Sequence, residues 1–434
     1  MDRRKFLSRS GIALSATFAI PSLSTLAHSP VAQAIPGSWE DIRSQFRLDP
    51  AKIHMSQMFI ASHPKWVSDA IEKYRAAFDA NPYEFTEENL FTLEVRARQS
   101  AANYLQADPE EIVMTDSTSM GLGILYTGLR LKAGEEILTT THDHYATEKS
   151  LEYAALKNNA AIKRISLYTN PSQVSVDEVV GTLKKAIGPK TRIVAVTWVH
   201  SNTGVKLPIS EMGAEIKKIN EKRTATDRIY FCVDGVHGFG IENFTITQMN
   251  CDFFAAGTHK WIFGPRGTGI LWGKKDCWDM VIPTIPAFSQ LSYGMWLGLA
   301  PQGKINFSDL HTPGGFHSFE HRWALNEAFD FHLRFGKDKI EARTHQLSTQ
   351  LKEGLKSMSH VKLHTPVSPQ LSAGINCFEV AGIKPEDVAK KLQAKNIIGN
   401  NSPYRVSYAR LTPCIINTED EVKISLEAVS KLKA

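Results

Sequence analysis

Between residues 65 and 310 the chain alternates short, continuously apolar runs with amphipathic stretches, and this alternation restricts the fold more than any other feature. IVMT (112–115), EILTT (136–140), RIVAVTWV (192–199), YFCVD (230–234) and DFFAAG (252–257) read as strands. Between several of them lie segments such as YATEKSLEYAALKNN and ISEMGAEIKKINEKR, which have helical spacing of apolar residues. A strand that is apolar on both faces must be covered on both. The architecture that does this is a mostly parallel sheet with helices on its two sides. The fold class is therefore α/β, and in such sheets ligands bind at the carboxyl ends of the strands.

From about residue 320 the character changes. A long helical stretch, EHRWALNEAFDFHLRFGKDKIEARTHQLSTQLKEGLKSM, leads to strands near 374–380 and 404–410 with the helix KPEDVAKKLQAKN between them. We expect a large domain over 65–310 and a smaller α+β domain over 311–434, with residues 35–64 packing on the smaller one. The first 34 residues are set apart as an export signal. Arg3-Arg4-Lys5-Phe6-Leu7 heads an apolar segment that ends in Ala32-Gln33-Ala34, and it resembles a twin-arginine signal with Asp2 in place of the usual Ser or Thr. Cleavage after Ala34, passage through the twin-arginine translocase and a periplasmic location follow as expectations. With Arg3, Arg4, Lys5 and Arg9 removed, the net charge of +5 nearly vanishes and no basic stripe remains, which argues against a nucleic-acid partner. The five cysteines are scattered in apolar runs and read as core residues, neither a disulfide framework nor a metal site.

The candidate chemistry sits at the strand ends. After IVMT come Asp116-Ser117-Thr118-Ser119, hydroxyls opening a helix, where N–H groups and the dipole attract an anion. Beyond EILTT come His142-Asp143-His144-Tyr145; no second ligand cluster accompanies them, so they are not read as a metal site, and an aromatic ring there can stack on a flat ligand. His200-Ser201-Asn202-Thr203-Gly204 follow RIVAVTWV as a polar turn. Asp234 closes YFCVD, a buried carboxylate that is costly unless paired. In GTHKWIFGPRGTG (257–269), His259 and Lys260 stand between a buried strand and a glycine-rich turn. An ammonium there must find a partner, shift its pKa or react. Anion site, flat ring, buried aspartate and strand-end lysine together fit pyridoxal 5′-phosphate, which needs a phosphate cradle, a stacking partner, a carboxylate on its ring nitrogen and a lysine to condense with its aldehyde.

The order Ser117-Thr118, His144, Asn202, Asp234-x-x-His237, His259-Lys260 resembles the class V aminotransferase family, fold type I of the pyridoxal-phosphate transferases, over about 65–430. VDGVHGFG and GTHKWIFGPRGTGILWG are most similar to its isopenicillin N epimerase-like branch. The resemblance implies a homodimer in which Lys260 holds the cofactor and moves the proton at the α-carbon. It puts Asp234 on the pyridine nitrogen, His144 on the ring face, Asn202 and His237 beside the phenolic oxygen, and Ser117, Thr118 and His259 on the phosphate. Arg410, in RLTPCIINTEDEV, matches the family's arginine for the substrate carboxylate.

There are departures. The family's cysteine desulfurases have Gln in place of His237 and a catalytic cysteine before the arginine, whereas IIGNNSPYRVSYAR contains none. A phosphate-contacting serine is replaced by Gly257. The threonine lent by a partner subunit falls near Phe316, with His317 and Ser318 as neighbours, and residues 311–323 are expected at the substrate entrance.

These features imply an enzyme acting at the α-carbon of an amino acid or peptide-like amine. The combination of signal and fold is similar to periplasmic pyoverdine-maturation enzymes, which modify a glutamate side chain on a siderophore, and it implies tailoring of a secreted peptide. Transamination, epimerisation, β-elimination (including C–S cleavage) and decarboxylation stay open at this point. A catalytically silent binding protein of the same fold is the non-enzyme alternative.

Overall fold

The computed structural model describes residues 37–299 and 305–433, so the expected export signal lies outside the described residues. A two-residue strand, β1 (Ile53–His54), precedes the main sheet. That sheet comprises β2 (Ile112–Thr115), β3 (Glu136–Thr140), β4 (Ala161–Ile165), β5 (Thr191–Thr197), β6 (Tyr230–Asp234), β7 (Phe253–Gly257) and β8 (Gly269–Gly273). The seven strands lie in the order β2-β8-β7-β6-β5-β3-β4. Strands β4, β3, β5, β6 and β7 are mutually parallel, and β8 runs antiparallel to both β7 and β2. Every residue of β2, β5, β7 and β8 is buried, which is the physical origin of the continuous apolar runs.

Strand β4 has no such run because it is the sheet's edge. Its residues are exposed or half-buried, and Arg164 pairs with Glu148 and Glu152 on the neighbouring helix.

The helical stretch 320–358 is three helices, Phe319–Trp323, Leu325–Phe335 and Lys337–Lys356. Gly336 separates the last two at φ +109, a conformation that favours glycine. The break sends the two halves to different cores. Leu325, Phe329 and Phe331 join Tyr104, Phe239 and Phe263 beneath the main sheet, whereas Leu347, Leu351 and Leu355 pack with Phe378 and Leu411.

The latter core is built on β9 (Val361–Leu363), β10 (Asn376–Val380), β11 (Ile397–Ile398), β12 (Asn400–Asn401) and β13 (Ala409–Leu411). Four of these form an antiparallel sheet ordered β12-β13-β10-β9, while β11 pairs in parallel with β1. Met55, just after β1, is buried in this second core. The strand expected over 404–410 is confined to its last residues, and Ser402–Tyr408 form a loop between β12 and β13.

Candidate active site

Five strands of the main sheet deliver side chains to one region at their carboxyl ends. After β2, Ser117 caps the helix Thr118–Gly128: its Oγ accepts from the Met120 N–H at 3.1 Å. The Thr118 and Ser119 N–H groups have no partner within the helix and face outward from its N-terminus. Arg322, itself buried, holds the preceding residue by an ion pair to Asp116 (2.8 Å) and a second to Glu94 (3.0 Å). Nothing in the linear sequence tied Arg322 to this turn.

Across from the helix start, the Gly257 N–H donates to Thr118 Oγ1 at 2.7 Å. A Cβ on Gly257 would come within 2.9 Å of both Thr118 Oγ1 and His259 Cε1. A serine at 257 therefore has no room, and the Thr118 hydroxyl occupies its place. The buried His259 Nδ1 has no hydrogen-bond partner among the described residues. Helix start, hydroxyl and ring nitrogen thus bound one small polar cradle suited to a phosphate.

Asp234 ends β6 with 2% of its surface exposed. One oxygen accepts from the Val236 N–H (3.2 Å) and the other from Thr147 Oγ1 (3.4 Å). Burial raises its pKa to about 6, against the pull of the Val236 amide and the Lys260 cation, while Asp143 adds to the rise. Burial lowers Lys260 to about 8; Asp234 opposes that shift and Arg410 adds to it. A neutral amine is thus accessible near physiological pH. Thr147, three residues into the helix after His144, carries no sequence signal for this role.

His237 is buried, and its Nδ1 accepts from Trp261 Nε1 at 3.3 Å. Burial, then the Lys260 and Arg410 cations, push its pKa well down, so the ring is neutral with its hydrogen on Nε2. His144 is the N-cap of the helix Tyr145–Asn158, and its Nδ1 accepts from the Ala146 N–H at 3.2 Å. Desolvation and then Lys260 and Arg410 hold that imidazole neutral as well.

The neighbouring His142 and Asp143 turn elsewhere. Asp143 accepts from Thr139, Thr140 and the Thr197 N–H, and His142 stacks on Tyr168 with centroids 4.0 Å apart.

Arg410 reaches the site from β13. Its Nε donates to Asn400 Oδ1 and its two terminal nitrogens donate to the Ser201 and Asn401 carbonyls, each at 2.8 Å. A guanidinium has five N–H donors, so two remain for a ligand. Asn202 is fixed by Ser402 Oγ, which donates to its Oδ1 at 2.6 Å and leaves its amide N–H groups to act.

Eight of the nine sequence-nominated residues therefore stand at the ends of five strands of the main sheet, and the ninth, Arg410, comes from β13. The 311–323 segment is more varied: Phe316 is 84% exposed, and His317 packs on Phe319.

The site can hold a flat, anionic, electrophilic cofactor. The cradle of Ser117, Thr118 and His259, the amine of Lys260, the carboxylate of Asp234 and the Nε2–H of His237 match the phosphate, aldehyde, ring nitrogen and phenolic oxygen of pyridoxal phosphate in number and polarity. By this test the residues fit the group.

Residues 60–401 match the model of the family described as Aminotransferase class-V. The chain is 26% identical over 355 residues to the isopenicillin N epimerase of Streptomyces clavuligerus, covering 79% of this chain and 84% of that protein. It is 25% identical over 354 residues to a probable cysteine desulfurase of Halalkalibacterium halodurans, covering 80% and 82%. Among solved structures, the cystine C-S lyase C-DES in complex with cysteine persulfide superposes with a TM-score of 0.80 at 23% identity, over 88% of this chain and 98% of that one.

Proposed function

We propose, for a chain that belongs to the aminotransferase class-V family, that it is a pyridoxal 5′-phosphate enzyme acting at the α-carbon of an amino acid or peptide-like amine. The observation that carries this reading is the convergence of a depressed lysine amine, a buried carboxylate and a guanidinium with two spare donors at the carboxyl ends of the main sheet. Bound there, the cofactor supplies an electron sink for the pair left when a bond at the α-carbon breaks. Lys260 holds it, and its neutral Nζ then takes and returns the α-proton. Asp234 keeps a proton on the ring nitrogen by accepting from it. His237 donates from Nε2, His144 covers one ring face, and Arg410 fixes the substrate carboxylate.

One chemistry of the relatives is disfavoured. The five cysteines are all buried, and burial raises the pKa of each thiol, so none is poised to take sulfur from a substrate. Epimerisation of an amino acid, as the name of the Streptomyces relative suggests, and transamination use the residues above; so does C–S cleavage. We place the enzyme's work on a secreted peptide such as a siderophore, on the strength of Arg3-Arg4 at the head of the chain. Fractionation of cells carrying Arg3→Lys and Arg4→Lys should show the protein retained in the cytoplasm; unchanged periplasmic recovery would remove this support. A homodimer is supported by the exposed apolar side chains of Phe288, Tyr293, Met295, Trp296 and Phe316. Sedimentation at the mass of one chain would count against it.

The central test is direct. Purified protein supplied with pyridoxal phosphate should be yellow, and borohydride should fix the cofactor's mass on the peptide that contains Lys260. A protein that stays colourless after the addition would sink the proposal.

A further inference from the structure

The hydroxyls of Ser201 and Tyr404 lie 2.7 Å apart, one on the turn after β5 and the other on the loop between β12 and β13. Neither hydroxyl has another hydrogen-bond partner among the described residues. Two hydroxyls in contact share a single hydrogen bond: one O–H donates, and the other keeps a proton with no acceptor. Either oxygen can donate in this pair; when a carboxylate is present, the more acidic phenol donates to that stronger acceptor and Ser201 donates to Tyr404 Oη in turn. Accepting that bond also polarises the phenol.

The position of this spare donor is fixed from three sides. The carbonyl of Ser201 accepts from Arg410 at 2.8 Å, so guanidinium and hydroxyl pair are anchored to one residue. Ser402, two residues before Tyr404, donates to Asn202 Oδ1 and accepts from the Tyr408 N–H at 2.9 Å, which closes the loop against the turn. The Tyr404 ring meets His144 edge to face, with centroids 6.3 Å apart and planes at 77°. Burial pushes the phenol up to about 12, so it remains a donor throughout the working pH range.

We infer that Tyr404 is a specificity-determining residue of the substrate site, its phenolic O–H completing, with the two spare N–H groups of Arg410, a three-donor seat for a carboxylate borne on the substrate's α-carbon. Three donors and no obligate acceptor suit a carboxylate, whose oxygens only accept. A carboxamide puts its own N–H against one of those donors and leaves a buried group unpaired. The inference rests on Arg410 being the carboxylate clamp, and it adds that the clamp alone does not set the preference.

The test is a titration of the cofactor-loaded protein with L-alanine, D-alanine and their carboxamides, read as the change in cofactor absorbance and not as turnover. The parent protein should bind at least one alanine more tightly than its amide. Tyr404→Phe keeps the ring against His144, so its cofactor spectrum and amide binding should match the parent, while carboxylate binding weakens about tenfold or more, as for loss of a bond to a charged group. Ser201→Ala should weaken the carboxylate less, because it removes the polarising partner only. Equal carboxylate affinity in Tyr404→Phe and the parent overturns the inference. Arg410→Lys is the separate arm. If it leaves carboxylate binding intact, the Arg410 reading fails; if it weakens binding while Tyr404→Phe does not, only the Tyr404 inference fails. No preference for either alanine over its amide in the parent overturns both.

Discussion

Replacing Lys260 with alanine should lower kcat by about two to four orders of magnitude, the range for loss of a positioned proton-transfer group. The cofactor should still bind, through Ser117, Thr118, His259 and Asp234, but it should wash out on dialysis. Steady-state assays at saturating substrate and cofactor measure the first effect and the dialysed spectrum the second. Turnover within tenfold of the parent would remove Lys260 from the chemistry. The same residue carries a stability signature in the cofactor-free protein. Its folded pKa of about 8 lies below the usual 10.5, so folding must bear a buried ammonium at any pH below about 8. That cost is relieved as pH rises from 8 toward 10.5, where the unfolded chain binds more protons than the folded one. Lys260→Met should therefore be more stable than the parent at pH 7, and thermal melts should show the gap closing at high pH. A gap that widens with pH would contradict the burial of this amine.

Asp234→Asn should lower kcat by about two to three orders of magnitude, the loss seen when one preorganised electrostatic group is removed from a reacting centre. The asparagine is close in size, so the Thr147 and Val236 contacts leave the fold intact, and the change should appear as kcat with little change in KM. The pH dependence of cofactor binding separates this role from a structural one. In the cofactor-free protein Asp234 is a carboxylate above about pH 6 and protonated below it. Parent affinity for the cofactor should hold constant above pH 6 and fall as pH drops toward 5. The Asp234→Asn profile should be flat across that window. A parallel decline in both proteins would assign the pH effect to another group.

Much of this site could be read from the chain because strand-end chemistry leaves a local mark. Asp234 closes an apolar run and Lys260 stands just beyond another, after Thr258 and His259, so their positions along the sequence are also their positions along the sheet. Ser117 and Thr118 were legible for the same reason, since a helix must begin with a cap. The residues that escaped act from a distance along the chain. Arg322 grips Asp116 from another helix, and Trp261 orients His237 through a ring nitrogen that no pattern of hydrophobicity reports. Tyr404 stood in a segment notable on sequence grounds only for lacking a cysteine, and its use depends on a turn two hundred residues earlier. Strand β4 was hidden by the charges of an edge, and the helix break at Gly336 by the amphipathic pattern that continues on both sides of it.

The two-part construction of the site also sets an order in time. Every strand of the main sheet and every residue offered to the cofactor lies between 112 and 273, whereas Arg410 lies on the last strand of the smaller sheet and Tyr404 on the loop before it. A chain leaving the ribosome presents every residue offered to the cofactor before the carboxylate seat is synthesised, although the core beneath those residues is finished only by Cys414, Ile415 and Ile416. The last stretch of the chain then joins the two halves of the site, Ser402 donating to Asn202 Oδ1.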